Sequence, residues 1–210
     1  RREHADRPAF EPPRLFSGYG DVFRNPKTVV CFTAVFIEGI ILFGVIPYVA
    51  VLLEQRGEGG LREAGFVLAG FAIGGFAYVA LVRRMLMRFG KLRLIRDGAL
   101  IAALGFAALA LHVSWPVEML FFFVIGIGFY MIHNSLQTEA TELAPKARAS
   151  AVSAHAFFFF LGQGAGPIVY GLGFASLGAR GTLLIMAVAM ALTGVFTAAG
   201  LEARSHPGQR

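Results

Sequence analysis

Glu38, His133 and His155 are ionisable side chains that lie inside long apolar stretches of this sequence. Such groups are costly in apolar surroundings and are functional-site candidates by default. A carboxyl at position 38 could be neutral when protein surrounds it and ionised when water or a substrate reaches it, so Glu38 is a candidate proton site. The two imidazoles can titrate near neutral pH. The alternative for each group is a structural hydrogen bond to a neighbouring helix.

A polar stripe surrounds His133. Tyr130, His133 and Gln137 are spaced i, i+3 and i+7, so a helix places them, together with Asn134, on one face. This face could line a path for a small solute. It could equally be the polar end of a helix close to water, and the spacing allows both interpretations.

Gln163 follows His155 by two turns. The two side chains are separated by about 80° around a helix, so both could reach one cavity without sharing a ridge. The two histidines are not at metal-ligand spacing and no cysteine joins them, so the sequence predicts no metal site. No cofactor is predicted either, because the glycines from 162 to 166 lie in an apolar stretch with no preceding strand for a dinucleotide loop.

Six apolar stretches must position these residues, and they are predicted to be membrane-spanning helices: 28–53, 64–82, 92–113, 115–136, 151–177 and 181–201. Each holds roughly the 20 residues that a helix needs to cross a hydrocarbon core. The chain is 56% hydrophobic and 15% charged, outside the usual range of soluble domains. The predicted fold is all-α and integral to the lipid bilayer.

The basic residues predict the orientation. Sixteen of the 19 Lys and Arg residues precede the first stretch, follow the last, or lie in the fourth gap or in and just after the second gap, where Arg93 and Arg96 begin the third stretch. Only Arg56, Arg62 and Arg180 lie in the other gaps. Positive loops stay in the cytoplasm, so both termini are predicted to be cytoplasmic. The net charge of +6 then reflects topology, and no nucleic-acid partner is predicted.

The chain divides into a cytoplasmic linker (1–27), a six-helix membrane unit (28–202) and a cytoplasmic tail (203–210). Pro8, Pro12 and Pro13 are expected to oppose regular structure in the linker. Because residue 1 is Arg, we expect that a further segment precedes it in the complete gene product.

Glycine and proline predict how the helices pack and bend. Gly70-x-x-x-Gly74 and Gly162-x-x-x-Gly166 place small residues on one helix face and allow close packing. Pro47 and Pro167 each remove a helix hydrogen bond and could kink their spans. The predicted packing and kink residues are therefore Pro47, Gly70, Gly74, Gly162, Gly166 and Pro167.

Two segments resemble a known family. Residues 83–91 read RRMLMRFGK, which resembles the second copy of the loop signature G-x-x-x-D-R-x-G-R-R of the major facilitator superfamily. Arg88, Gly90 and Lys91 match, whereas Met87 and Leu92 replace an acidic and a basic residue.

The stronger resemblance covers residues 134–171, which are similar to the tenth and eleventh helices of bacterial drug and sugar efflux permeases in that superfamily. Pro145-x-x-Arg148 resembles their P-x-x-R-G, and the segment from Gly162 to Pro167 resembles the antiporter motif G-x-x-x-G-P. The resemblance implies the carboxy-terminal half of a transporter, equivalent to helices 7–12, in which the first, second, fourth and fifth spans line a cavity.

The resemblance further implies a secondary, proton-coupled transporter that exports a small molecule across the bacterial inner membrane with an amino-terminal half that this chain lacks. Its cavity residues would be Glu38, Tyr130, His133, Asn134, Gln137, His155 and Gln163. Its cytoplasmic gate loop would include Arg88, Gly90, Lys91, Pro145 and Arg148. Two alternatives remain open: a membrane assembly or scaffold subunit, and a half-transporter that assembles with itself. A six-span protease is disfavoured, because no serine has the required Gly-x-Ser context.

Overall fold

A computed structural model describes residues 17–205, and this part of the chain is entirely helical apart from short connections. The all-helical prediction is therefore confirmed. The helices are α1 (Ser17–Arg24), α2 (Lys27–Val45), α3 (Val49–Gln55), α4 (Leu61–Phe89), α5 (Lys91–Leu109), α6 (Trp115–Leu143) and α7 (Arg148–Ser205). Pro8, Pro12, Pro13 and the end of the predicted tail lie outside the described residues.

Four helical segments are long and apolar enough to cross a membrane: Lys27–Gln55, Leu61–Phe89, Trp115–Leu143 and Arg148–Ser205. The first combines α2 and α3, which are joined by a 3-10 turn at Ile46–Tyr48. Pro47 lies in that turn, where its missing N–H interrupts the α-helical ladder. The predicted bend at Pro47 thus coincides with a local change of helix type.

The α7 segment changes direction at Gly178, whose φ of 71° and ψ of 173° are not helical. Glycine adopts this left-handed region without the steric cost of a Cβ atom. The break separates the two stretches predicted at 151–177 and 181–201. Pro167, by contrast, lies inside continuous helix.

Several boundaries differ from the sequence prediction, including the end of the fourth stretch, which was predicted at 136 whereas α6 continues to Leu143. The linker prediction included no helix, yet α1 forms directly after its prolines. The third stretch was predicted to end at 113, whereas α5 ends at Leu109 and the chain turns before Trp115. The helix α4 continues past the predicted end at 82 to Phe89, because its last turns are charged but remain good helix formers.

Glycine controls the closest helix contacts. A Cβ atom at residue 162 would meet the carbonyl of Phe36 and the Cα atom of Gly39 on α2. Cβ atoms at residues 70 and 74 would meet backbone carbonyls of α6. The predicted small-residue faces therefore lie where α7 crosses α2 and where α4 crosses α6, which agrees with their expected packing role.

The outer surface of the bundle is apolar. Phe76, Leu104, Ile168, Leu172 and Phe196 are each 67% exposed or more. Monomeric soluble proteins rarely expose contiguous apolar patches of this kind. Such an outer surface is suited to lipid, which solvates hydrocarbon side chains as well as a protein core does.

Candidate functional site

The centre of the bundle contains a buried carboxyl and imidazole pair. Glu38 on α2 is completely buried, and the His133 side chain on α6 is 15% exposed. His133 Nδ1 lies 3.0 Å from Glu38 Oε2. The distance is that of a hydrogen bond, which becomes an ion pair when the imidazole carries a proton and the carboxyl does not. The two residues are 95 positions apart in the chain.

A second imidazole lies beside this pair. The ring of His155 on α7 is 5.3 Å from the His133 ring, centre to centre, and is buried. Glu38 Oε1 and His155 Nε2 are buried without a hydrogen-bond partner among residues 17–205. Most buried polar atoms in proteins have such a partner, so each exception calls for a physical explanation. A group of three titratable side chains with unused polar atoms can accept or donate protons.

Aromatic rings separate the pair from the rest of the bundle. The Phe129 ring stacks on His133 at 4.9 Å, and the Phe159 ring lies 4.4 Å from it. Phe43 from α2 completes this group through edge contacts with Phe129 and Phe159. The walls are thus apolar while the centre is polar, which strengthens electrostatic interactions inside.

The remaining predicted cavity residues divide into two groups. Asn134 and Gln163 are half-buried, and Gln137 is exposed. Tyr130 packs against α4 instead, with its ring 5.8 Å from that of Phe71 and 6.3 Å from that of Tyr78. The structure therefore brings together Glu38, His133 and His155, and it does not join the rest of the stripe to them.

A charged network lies at the end of the bundle where the Lys-rich connections meet. Glu139 on α6 is buried and accepts from Lys27 at 3.1 Å and from Lys91. Lys91 also donates to the exposed Glu142 at 2.6 Å. Burial alone would lower the pKa of Lys91, but hydrogen bonds and negative charges from Glu139 and Glu142 outweigh burial and raise that pKa above its ordinary value.

The predicted gate residues surround this network. Gly90 separates α4 from α5 with a φ of 74°, which lets Lys91 begin the next helix. The Arg88 guanidinium lies 5.6 Å from the centre of the Phe89 ring, outside the network. Pro145 and Arg148 lie at the connection from α6 to α7. Of the five, only Lys91 forms an ion pair with another described residue.

A third charged contact lies at the opposite end. Arg56, just after α3, and Glu118 in the first turn of α6 approach to 2.5 Å, and the Glu118 side chain is 4% exposed. The segment 27–56 and α6 are therefore joined at three depths, by Lys27 with Glu139, Glu38 with His133, and Arg56 with Glu118.

Four residues of this arrangement were not predicted from the sequence: Phe129, Phe159, Glu118 and Glu139. Glu118 lies inside the predicted fourth stretch and carries the same signal as Glu38, but its position near the rim concealed it. Glu139 lies just beyond that stretch. The two phenylalanines belong to phenylalanine-rich stretches that cover all helix faces, so no spacing distinguishes them. Within residues 17–205 no group of three or more His, Cys, Asp or Glu side chains could hold a metal ion.

An all-helical bundle with long apolar helices, an apolar outer surface and a polar centre is typical of an integral membrane protein. The family model of the Major Facilitator Superfamily matches residues 1–167 and, in a second overlapping match, residues 60–210. The chain belongs to the Major Facilitator Superfamily, whose members move small molecules across membranes. No curated protein matches the chain, and no solved structure does.

Proposed function

We propose that this chain is the carboxy-terminal half of a proton-coupled efflux transporter of the bacterial inner membrane, with Glu38 as its proton site. The proposal is carried by one observation: a completely buried carboxyl at mid-span that is hydrogen-bonded to a histidine of another helix. The half would contribute six spans, counting α5 as the third and the two parts of α7 as the fifth and sixth. An amino-terminal half would supply the other wall of the cavity.

The Glu38 and His133 pair suits coupling because it spans two helices. With the carboxyl ionised, its oxygen attracts a protonated His133, and α2 is held against α6. When the carboxyl binds a proton, its negative charge is removed, so the protonated imidazole then faces a neutral carboxyl group and the ion-pair attraction is lost. Proton binding thus changes the attraction between two cavity-facing helices. The change in attraction favours one of the two orientations of an alternating-access cycle.

The cavity would present His133, His155, Asn134 and Gln163 to the substrate. These side chains offer hydrogen-bond donors and acceptors on a wall that is otherwise aromatic. Gln137 and Tyr130 are placed at its margins. The cytoplasmic gate would be the network of Lys91 with Glu139, supported by the connections that carry Gly90, Pro145 and Arg148.

The test is a flux assay on the complete transporter reconstituted in vesicles, with a panel of radiolabelled sugars and cationic dyes. The wild type should drive flux only when a pH gradient is imposed. Glu38→Gln should abolish gradient-driven flux while folding is retained. Glu202→Gln, which alters an exposed carboxylate outside the network of Lys91 and Glu139, should leave the flux unchanged. Equal gradient-driven flux in the wild type and Glu38→Gln would remove the proton site.

The same assay separates a transporter from a scaffold subunit. A scaffold uses its polar residues only for helix contacts, so no member of the panel should then be moved by any variant. Vesicles that contain this chain alone test the self-assembling half-transporter. Flux in those vesicles would mean that a second copy of this chain takes the place of an amino-terminal half.

A further inference from the structure

A cavity of about 230 Å³ lies at the end of the bundle opposite the lysine network. It is formed by α2 and α3, the end of α5, the start of α6 and the second part of α7. None of its lining residues belongs to the group of Glu38, His133 and His155. It is therefore a separate site, and the proposed proton coupling does not use it.

The walls of the cavity are apolar and its rim is cationic. Val45, Leu109, Phe122 and Leu183 line the inner part. Three basic residues stand at the rim, where the chain passes between helices: Arg56, His112 and Arg180. A ligand that fits both parts has an apolar body and an anionic head.

The hydrogen bonds of the two arginines leave donors available. Arg56 donates from Nε to the Leu52 carbonyl at 2.9 Å and forms an ion pair through Nη1 with Glu118 at 2.5 Å. Its Nη2 atom takes part in neither of these contacts. Arg180 forms no ion pair with a described residue. It lies two residues after the break at Gly178. Guanidinium groups with unused N–H donors are suited to carboxylates.

The charge of the site disfavours a dianion. Two guanidinium groups, those of Arg56 and Arg180, line the cavity together with the carboxylate of Glu118, and Glu58 is close enough to act on that carboxylate electrostatically. Repulsion from these two carboxylates is greater for a dianion such as phosphate than for a monocarboxylate. The volume is below the range of about 300–1,000 Å³ for drug-sized pockets, so the ligand is small.

We propose that this cavity binds a small amphiphilic monocarboxylate, whose carboxylate lies between Arg56 and Arg180 and whose apolar tail enters the space between α2, α5 and α6. The rim opens at the interhelix connections, so the ligand enters from water. The site adjoins the contact between Arg56 and Glu118 and shares no residue with the group of Glu38, His133 and His155.

The test is isothermal titration of the purified 210-residue chain in neutral detergent with sodium hexanoate and with hexanamide, at constant chloride. Hexanoate should bind, and the neutral amide should bind at least about tenfold more weakly, because hydrogen bonds to a charged group are the stronger kind. Arg180→Gln should weaken hexanoate binding about tenfold and leave the amide unaffected. Equal binding of the two probes, or undiminished hexanoate binding by Arg180→Gln, overturns the proposal.

Two controls complete the design. Arg62 is an exposed arginine on the same side that does not line the cavity, and Arg62→Gln should bind hexanoate as the wild type does. A tenfold loss in that variant would mean general charge attraction and would contradict a built site. In nanodiscs, phosphatidylglycerol in place of phosphatidylcholine should not reduce hexanoate affinity. If hexanoate affinity is lost in phosphatidylglycerol nanodiscs, the cavity binds a lipid headgroup and the proposal is overturned.

Discussion

At the scale of single residues, the contact of Glu38 with His133 has consequences for stability as well as for the proposed proton coupling. A buried charged pair gains little over an apolar pair of the same shape, but removal of one partner leaves an uncompensated group. Glu38 is completely buried and its second carboxyl oxygen already has no partner in the described chain. His133 is therefore the residue on which the folded state of this centre depends.

A double-mutant cycle measures that dependence. His133→Leu should lower the free energy of unfolding by about 3 kcal/mol, because it leaves the Glu38 carboxyl unpaired. Glu38→Gln should cost less, since an amide still bonds to the imidazole. The double variant should show a coupling energy of about 1 kcal/mol or more. Denaturant unfolding in detergent micelles gives the four values, and strict additivity would contradict the direct contact.

Glu139 gives a second residue-scale prediction. Its side chain is 3% exposed and two lysines contact it, whereas Glu142 is 58% exposed and meets one. Glu139→Gln should therefore lower the free energy of unfolding by about 1–3 kcal/mol. Glu142→Gln is the matched control and should cost less than about 1 kcal/mol. Thermal unfolding of both variants decides, and equal losses would mean that the buried network adds nothing.

At the scale of the elements, α6 is the helix on which the charged contacts converge. It contributes Glu118 at its start, His133 in its middle and Glu139 near its end. All three reach the segment 27–56, which is bent by the 3-10 turn at Pro47. Two tyrosine hydroxyls tie that segment to α7, from Tyr48 to the Pro167 carbonyl at 2.8 Å and from Tyr170 to the Ile41 carbonyl at 2.7 Å.

The crossing of α2 and α7 depends on missing side chains, and a pair of glycines tests it. Gly162→Ala would place a methyl group against the Phe36 carbonyl and should cost about 1–3 kcal/mol of stability. Gly164→Ala meets nothing within 4 Å and should be neutral or stabilising by up to about 1 kcal/mol, since alanine favours helix. Thermal unfolding compares the two. A Gly162→Ala variant as stable as the wild type would refute the tight crossing.

The helices were predictable from the sequence because their signal is local. Continuous apolar runs fixed α4 and α6 to within a few turns, and the glycine patterns of 70–74 and 162–166 marked real crossings. The helix α1 was not predicted because it has only eight residues, too few to show a clear helical pattern. The prolines that precede it also suggested a loop. The predicted end of the third stretch was too late because three of the four residues 110–113 are apolar, yet none of the four is helical.

The site was predictable in composition but not in its contacts. Because ionisable side chains are unfavourable in an apolar medium, Glu38, His133 and His155 could be identified as candidates without any knowledge of the fold. Their mutual approach joins α2, α6 and α7 and depends on how those helices rotate, which periodicity does not reveal. Tyr130 shows the difference, because it shares a helix face with His133 in the spacing but packs on Phe71 in the fold.

At the scale of the whole molecule, the distribution of basic residues predicts which ends of the helices face the cytoplasm. Single cysteines at positions 89, 147, 58 and 179 test it, and Cys31 adds little background because it is buried. With a membrane-impermeant maleimide on intact cells, positions 58 and 179 should react and positions 89 and 147 should be protected. The reverse pattern would invert the orientation and the proposed gate with it.

As the proposed proton site, Glu38 must bind and release a proton in the middle of the membrane. Infrared difference spectroscopy between two pH values, on the purified chain in lipid, detects the C=O stretch of a carboxyl group as it becomes protonated. We expect a carboxyl band in the difference spectra of the wild type and of Glu142→Gln, and we expect this band to be absent from the spectrum of Glu38→Gln. If Glu38→Gln gives the same spectrum as the wild type, Glu38 is not the proton site.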